Sequence, residues 1–180
     1  MFTYKIDNQI SLKLVELRDA DEIFSLIESS REYLREWLGW LDKSTKVEDT
    51  RDYIKMSQQM FAENRGMNAA ILYDGKIVGI AGYNAIDWSN KIAYIGYWLG
   101  ETYQGKGIMT KVAEALTEYA INQLELNRVD IRVAVENKKS WSIPERLGFV
   151  EEGLIREAEW LYDHHVDHAV YGMLAEAWKK

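Results

Sequence analysis

A glycine-containing turn near the middle of the chain has residues suited to binding an anion. It lies between an apolar strand that ends at Leu99 and a helix whose apolar residues recur at helical spacing. Backbone N–H groups at such a strand-to-helix turn point together and favour negative charge. The arrangement therefore predicts a site for a pyrophosphate-bearing cofactor. The turn comprises Gln104, Gly105, Lys106, Gly107, Ile108, Met109 and Thr110.

A polar corner follows the next apolar strand along the chain. Asn137 and Ser140 open the segment NKKSWSIPERLGF, and their ordinary role is to cap a helix, because Asn and Ser accept hydrogen bonds from the free N–H groups at a helix start. Pro144 is compatible with this helix if it lies in the first turn. The corner therefore predicts a strand-to-helix junction.

Two carboxylates near the C-terminal end are candidates for a general base. Glu157 and Glu159 share one face if their segment is a strand, because side chains alternate along a strand. A carboxylate can act as a general base directly or through water. Two acids on a strand are more often only a solvated face. A shift in the pairing would exchange Glu159 for Glu157 or Glu152.

Aromatic residues and histidines form two further groups. Trp37 and Trp40 lie in REWLGWLDKS, between two predicted helices, where they would belong either to the core or to a binding pocket. The histidines are His164, His165 and His168. We expect no metal there, because a turn followed by a strand would scatter the three rings and a further ligand type is missing.

Composition limits the classes of function. The chain has 180 residues, of which 47% are hydrophobic and 28% charged, and we expect one domain spanning 1–180. The absence of cysteine excludes disulfides, thiolate zinc sites and a cysteine nucleophile. The net charge of −7 argues against a nucleic-acid partner and weakly favours a cationic substrate. No apolar run reaches the roughly 20 residues of a membrane span, so we expect no membrane association and a cytoplasmic location.

Hydrophobic periodicity predicts the strands and helices that position these residues. Alternation predicts a first strand over 10–17, and Asp19 with Glu22, then Thr45 with Glu48, form signatures of helix starts. Asp74-Gly75 predicts a two-residue hairpin turn inside a three-stranded meander. A helix from Lys106 leads to a strand over 128–135, which should run parallel to the strand ending at Leu99.

The chain closes with a second helix and a hairpin whose turn we place at Asp163-His164. The pattern predicts an α+β fold with a single central mixed, mostly antiparallel sheet of about seven strands and four helices.

This order of elements resembles the GNAT superfamily of N-acetyltransferases, whose phosphate loop is written Gln/Arg-x-x-Gly-x-Gly/Ala. Met109 stands where a second small residue is usual. The resemblance implies that the N–H groups from Gly105 to Thr110 hold the pyrophosphate of coenzyme A. It also implies a bulge in the strand at Gly96 and a sheet that splays between the fourth and fifth strands. The pantetheine arm would enter there and pair with the backbone of Tyr97, Trp98 and Leu99.

The corner and the LGF segment are similar to those of ribosomal-protein serine and alanine N-acetyltransferases. The resemblance implies that an N–H near Leu99 stabilises an oxyanion, that Asn137 and Ser140 contact the cofactor, and that Ser140 also returns a proton to the thiolate. Glu159 would be the base. The acceptor site would include Trp37, Trp40 and Glu157.

The implied activity is direct transfer of acetyl from acetyl-CoA to a primary amine, foremost the N-terminus of a ribosomal protein. A small amine (polyamine, aminoglycoside or antibiotic-like metabolite) and a non-catalytic acyl-CoA sensor remain alternatives. We expect no metal cofactor, and the sequence leaves a homodimer open.

Overall fold

A mixed β-sheet forms the centre of the molecule in a computed structural model, which describes residues 2–178. The eight strands are β1 (Tyr4–Lys5), β2 (Ile10–Leu14), β3 (Met67–Tyr73), β4 (Lys76–Asp87), β5 (Ile92–Leu99), β6 (Arg128–Ala134), β7 (Val150–Leu161) and β8 (His164–Leu174). Their spatial order is β1-β2-β3-β4-β5-β6-β8-β7, and only β5 and β6 are parallel. The predicted α+β fold with one mixed, mostly antiparallel sheet is confirmed.

The described helices outnumber the predicted four. They are α1 (Ala20–Ser29), α2 (Arg31–Arg35), α3 (Val47–Ala62), α4 (Ile108–Asn122) and α5 (Lys138–Arg146). The first predicted helix is broken at Ser30, which has φ −117° and ψ 11°. The Ser30 hydroxyl accepts a hydrogen bond from the Glu101 N–H at 3.0 Å. The eighth strand is the short β1, which periodicity did not reveal.

Two apolar cores lie on the two faces of the sheet. On one face α4 packs through residues such as Leu116, which is 2% exposed. On the other face α1 and α3 pack through Ile23 and Ile54. The buried phenol of Tyr83 donates a hydrogen bond to the Leu116 carbonyl at 2.5 Å. Removing a leucine side chain from such a core typically costs about 2–5 kcal/mol.

Of the two predicted hairpin turns, one is confirmed and the other is displaced by one residue. Asp74 and Gly75 have φ of 49° and 79°, as the predicted two-residue turn requires. The last hairpin turns at Tyr162-Asp163 rather than at Asp163-His164, because β8 already begins at His164. Tyr162 has a φ of 63°, a conformation that is uncommon for an aromatic residue.

The first predicted helix-start signature lies at the right position but its side chains bond elsewhere, and the second is displaced by one residue. Asp19 ends a one-turn helix over Leu17–Asp19 and directly precedes α1, but its carboxylate makes no bond to α1: it accepts the Glu16 N–H at 2.8 Å and pairs with the buried Lys13 ammonium at 2.5 Å. Glu22 accepts the N–H of Ile77, at the start of β4, at 2.8 Å.

At the second helix start, Asp49 takes the place predicted for Glu48. Its carboxylate accepts the N–H groups of Thr45 at 2.9 Å and Lys46 at 3.1 Å. Glu48 instead lies 2.9 Å from Arg51 on the helix surface.

The sheet opens between β5 and β6. Their parallel pairing extends from Ile92 with Arg128 to Ile95 with Ile131 and stops there. Residues 96–99 of β5 remain paired with β4 on the other side. One edge of β5 therefore faces an open seam, as predicted.

The bulge next to the seam lies in β4, which corrects the prediction of a bulge at Gly96. Asn84 is the extra residue, because Tyr83 pairs with Ile95 whereas Ala85 pairs with Tyr94. A Cβ atom on Gly96 would lie 2.3 Å from the Asn84 carboxamide nitrogen. Gly96 is therefore required to leave room for the Asn84 side chain.

Candidate active site

The turn before α4 presents a run of free backbone donors. Gly105 and Gly107 have φ of 75° and 73°, which glycine adopts without steric cost. Among the hydrogen bonds described for residues 2–178, the N–H groups from Gly105 to Thr110 have no acceptor, and the first helical bond is donated by Lys111 to Gly107 at 3.3 Å. The turn therefore has the donors that a pyrophosphate needs.

The side chains of this turn point in different directions. Ile108 and Met109 are 1% and 7% exposed and belong to the core, so each offers only its backbone to a ligand. The Lys106 ammonium lies 5.6 Å from the centre of the Tyr73 ring. Met109 therefore does not crowd the outer side of the turn, although it replaces a small residue.

Gln104 and Thr110 lie at the two ends of the turn. The Gln104 carboxamide donates to the Leu99 carbonyl at 3.1 Å, so it ties the turn to the end of β5. The Thr110 hydroxyl is 3.5 Å from the Arg146 guanidinium. Gln104 therefore positions the turn, and Thr110 links it to α5.

A small cavity of about 80 Å³ lies at the seam beside this turn. It is lined by Tyr33, Leu34, Trp37, Leu38, Tyr97, Trp98, Leu99, Gln104, Met109, Asn137, Lys139, Ser140 and Ile143. These residues come from α2, β5, α4 and α5, so the cavity runs from the turn to the polar corner.

The polar corner caps α5 as predicted, but Pro144 does not lie in its first turn. The Asn137 carboxamide oxygen accepts the Ser140 N–H at 3.3 Å. Pro144 is the seventh residue of α5 and lacks the N–H that would bond the Ser140 carbonyl. The Tyr97 hydroxyl replaces it, donating to that carbonyl at 2.8 Å. Burial raises the pKa of Tyr97 well above its usual value, which keeps the hydroxyl a donor.

A larger cavity of about 650 Å³ lies on the α1 and α3 side of the sheet. Its polar lining includes Lys43, Ser44, Asp49, Asn68, Asn84, Arg132, Asn137, Ser140, Glu159 and His168. Its aromatic lining consists of Trp37, Trp40, Tyr53, Tyr97 and Trp98. The rings of Trp40 and Trp98 are 6.2 Å apart at an angle of 56°. The charged groups of both signs make this a mixed cavity rather than an acidic one.

Glu159 lines the larger cavity and is held by a neighbouring histidine. The Nε2 atom of His168 lies 3.1 Å from Oε1 of Glu159, and the two side chains are 20% and 37% exposed. The register places both residues on the same face of the β7–β8 pair, because Glu159 is opposite Val166, two residues before His168. This contact was not predicted from the sequence, in which His168 is only one of three histidines that are not expected to bind a metal.

Glu157 does not share this position, which corrects the prediction from alternation. The register slips between Ile155 and Glu159, and Glu157 has a φ of 46° within that bulge. Its N–H donates to the Asp167 carboxylate at 2.7 Å, and the residue is not among those lining the cavity. Glu152 is bound by Arg128 at 3.0 Å and does not line the cavity either.

The two cavities share one stretch of wall. Six residues line both: Trp37, Leu38, Tyr97, Trp98, Asn137 and Ser140. A molecule that follows the seam from the turn before α4 and a molecule in the larger cavity would therefore meet at this shared wall. Among residues 2–178, no cluster of three or more acidic or histidine side chains is arranged to hold a metal ion.

Comparison with known proteins decides the family. The family model for the acetyltransferase (GNAT) domain matches residues 9–150. The chain belongs to the GNAT acetyltransferase family. The predicted enzyme class, an acetyl-CoA-dependent N-acetyltransferase, is thereby confirmed.

Individual relatives indicate the branch of the family to which the chain is most similar. YdaF of Bacillus subtilis, provisionally named a ribosomal N-acetyltransferase, is 36% identical over 180 residues, covering 99% of this chain and 98% of its own. The solved structure of RimL, a ribosomal alpha-N-protein acetyltransferase in complex with coenzyme A, has a TM-score of 0.94 at 26% identity, with coverage of 98% and 99%. The predicted resemblance to the ribosomal-protein branch is confirmed.

A third relative was solved with a nucleotide beside the acetyl donor. The microcin self-immunity acetyltransferase MccE, solved with acetyl-CoA and AMP, has a TM-score of 0.90 at 32% identity, and the match covers 94% of each chain.

The helices were also compared with the requirements of a membrane span. No helix among residues 2–178 is both long enough and apolar enough to span a bilayer.

Proposed function

We propose that this acetyltransferase transfers the acetyl group of acetyl-CoA directly to the α-amino group at the N-terminus of a ribosomal protein. One observation supports this best: the two cavities share a wall that includes Ser140, and Glu159 lines the larger one. A donor in the seam and an acceptor in the larger cavity would converge where a hydroxyl and a carboxylate are available. The names of the relatives supply the acceptor class.

The residues of the donor side fit coenzyme A. The free N–H groups from Gly105 to Thr110 match a pyrophosphate, and the edge of β5 at Tyr97, Trp98 and Leu99, which β6 does not pair, matches the amides of a pantetheine arm. Asn137 and Ser140 line the cavity that joins these two regions.

Proton transfer is assigned to two side chains. Acetyl-CoA supplies the acetyl thioester, to which the amine nitrogen bonds as the carbon–sulfur bond breaks. Glu159 accepts the proton that the acceptor ammonium must lose, and His168 orients its carboxylate. The Ser140 hydroxyl donates a proton to the departing sulfur and regains one from solvent. An N–H near Leu99 stabilises negative charge on the carbonyl oxygen.

The acceptor side favours a peptide over a polycation. Lys43 and Arg132 contribute positive charge to the larger cavity, and the carboxylate of Asp49 is already bound to backbone N–H groups. A polyamine or an aminoglycoside suits a closed acidic pocket, which this cavity is not. Trp37 and Trp40 are the proposed contacts for the first residues of the peptide. Glu157, which lies outside the cavity, is withdrawn from that role.

The test is acetylation of synthetic peptides that copy ribosomal-protein N-termini beginning with Ser or Ala, followed by mass spectrometry and by thiol release. The same peptides with a blocked N-terminus and an internal lysine are the control. We expect one acetyl group per free N-terminus and none on the blocked peptides. Modification of the blocked peptides, or of polyamines in preference, would reject the proposal. Binding of acetyl-CoA without turnover of any amine would support a sensor instead.

A second candidate is a small amine linked to a nucleotide. The complex of MccE with AMP and the three tryptophans of the larger cavity favour it, because indole rings stack on bases. Competition by AMP against the peptide acceptor, with no competition against acetyl-CoA, would direct the search to such amines.

A further inference from the structure

The turn between β7 and β8 is bound to the segment that connects α2 with α3. The Tyr162 hydroxyl donates a hydrogen bond to the Leu38 carbonyl at 2.5 Å and accepts one from the Leu41 N–H at 3.2 Å. A single side-chain oxygen therefore joins two parts of the chain that are more than a hundred residues apart.

Both backbone partners of this hydroxyl lie where regular helical bonding stops. Leu38 follows the end of α2, and Leu41 opens a one-turn helix over Leu41–Lys43. Groups at such ends need partners from outside the helix. A hydroxyl can serve both at once because it is donor and acceptor, whereas a phenylalanine ring could serve neither.

The tyrosine ring is also held in place. The Arg35 guanidinium lies 3.8 Å from the ring centre, and its nitrogens bind both oxygens of Asp42 at 2.9 Å. The φ of 63° at Tyr162 is costly for a non-glycine residue, and such a conformation persists only where its surroundings enforce it.

Both of the joined parts line the larger cavity. Trp37 and Trp40 line it from the connecting segment, and Glu159 lines it from β7, three residues before Tyr162. The two parts are in contact, since a Cβ atom on Gly39 would lie 3.6 Å from the Trp160 carbonyl oxygen. The separation between Glu159 and the tryptophans therefore depends on this contact.

We propose that Tyr162 is a positioning residue for the acceptor: its hydroxyl fixes the tryptophan wall relative to Glu159, so that the acceptor amine is held within reach of the carboxylate. The inference rests on the proposed function for its kinetic consequence. Tyr162 itself lines neither cavity, and Trp40 and Glu159 line only the larger one, so the loss of its hydroxyl should affect the acceptor more than acetyl-CoA.

The test compares Tyr162→Phe with Tyr171→Phe. The control loses a hydroxyl from the neighbouring strand β8, but on the α4 side of the sheet, where it lies 3.5 Å from Glu145. For Tyr162→Phe we expect kcat/KM for the acceptor to fall by about 5- to 30-fold, with acetyl-CoA affinity by calorimetry unchanged within about twofold. Tyr171→Phe should leave both within about twofold.

Hydrogen exchange gives a readout that needs no acceptor. Amides of residues 36–44 should exchange faster in Tyr162→Phe than in the wild type or in Tyr171→Phe, because the Leu41 N–H loses its partner. Unchanged exchange in this segment, an unchanged kcat/KM, or a parallel loss of acetyl-CoA affinity would each overturn the inference. If the wild type acetylates no peptide, the proposed function fails separately, and exchange alone decides whether Tyr162 holds the segment.

Discussion

The imidazole of His168 on β8 holds the carboxylate of Glu159 on β7, with 3.1 Å between Nε2 and Oε1. The pair lies across a bulge in which Arg156, Glu157 and Ala158 are out of register. Without that bulge, the strand geometry would not bring these two side chains together. The bulge therefore selects which of the nearby acids reaches the larger cavity.

Replacing Glu159 by Gln should lower kcat about 100- to 10,000-fold, because the amide cannot accept the proton of the acceptor ammonium. Acetyl-CoA affinity, measured by calorimetry, should stay the same. Glu157→Gln is the matched control, because it makes the same change two residues away and outside the cavity. Equal losses in the two variants would remove Glu159 from the role of base.

The Tyr97 hydroxyl replaces the helix bond that Pro144 cannot make, so the two residues should be coupled. Tyr97→Phe leaves the Ser140 carbonyl without a partner and should lower the free energy of unfolding by about 1–3 kcal/mol. Adding Pro144→Ala should recover part of that loss, since an alanine N–H can bond Ser140. Denaturant unfolding of the two single variants and the double variant measures this coupling. Additive destabilisation would contradict it.

Gly107→Ala should weaken coenzyme A binding. A φ of 73° costs a non-glycine residue about 1–2 kcal/mol, and relief of this strain would turn the N–H groups of the turn away from the phosphates. Gly75→Ala is the control, because its φ of 79° imposes a similar strain in the β3–β4 turn and its Cβ would also meet open space. Both variants should lose similar stability, and only Gly107→Ala should lose affinity in calorimetry.

Gly96→Ala should push the Asn84 carboxamide out of its place, because the new Cβ would lie 2.3 Å from its nitrogen. We expect a loss of about 1–3 kcal/mol in stability, together with a lower kcat/KM for the acceptor. Asn84→Ala in the same chain should restore most of the stability. If the losses of stability in Gly96→Ala and Asn84→Ala simply add in the double variant, the new Cβ at position 96 does not strain the Asn84 side chain.

The turn between β1 and β2 gives a pH-dependent prediction. The hydrogen bond from Lys111, followed by those from the N–H groups of Gln9 and Ile10, lowers the pKa of Asp7 to about 2. A lowered carboxyl pKa stabilises the fold above the unfolded pKa, and this contribution is lost as the pH falls through the folded pKa. Asp7→Asn should therefore lower Tm at neutral pH. Its difference from the wild type should shrink from about pH 4 to about pH 2, and a constant difference would argue against this.

The sequence predicts features that depend on neighbouring residues. The hairpin turn at Asp74-Gly75 and the glycines of the turn before α4 follow from the sign of φ that those residues tolerate. The cap by Asn137 follows from its side chain. The conformation of the turn before α4 and the capping of α5 therefore follow from local sequence.

Features that depend on distant residues could not be predicted in this way. The Asp19 side chain does not cap α1 as predicted, because it pairs with the buried Lys13. The prediction that Glu157 shares a face with Glu159 was wrong, because strand alternation does not continue through a bulge.

The roles of His168, Asn84 and Tyr162 depend on partners that only the folded sheet brings near. A glycine in the middle of β5, at Gly96, was the one local sign of the bulge in β4.

The short parallel pairing of β5 with β6 has a consequence for how long the protein persists in a cell. Strands β1–β5 and strands β6–β8 meet directly along only four residue pairs, and the donor is proposed to lie in the remaining gap. A ligand that binds only the folded protein raises its stability with the logarithm of its concentration. The resistance of this enzyme to unfolding and proteolysis would then rise and fall with the concentration of acetyl-CoA around it.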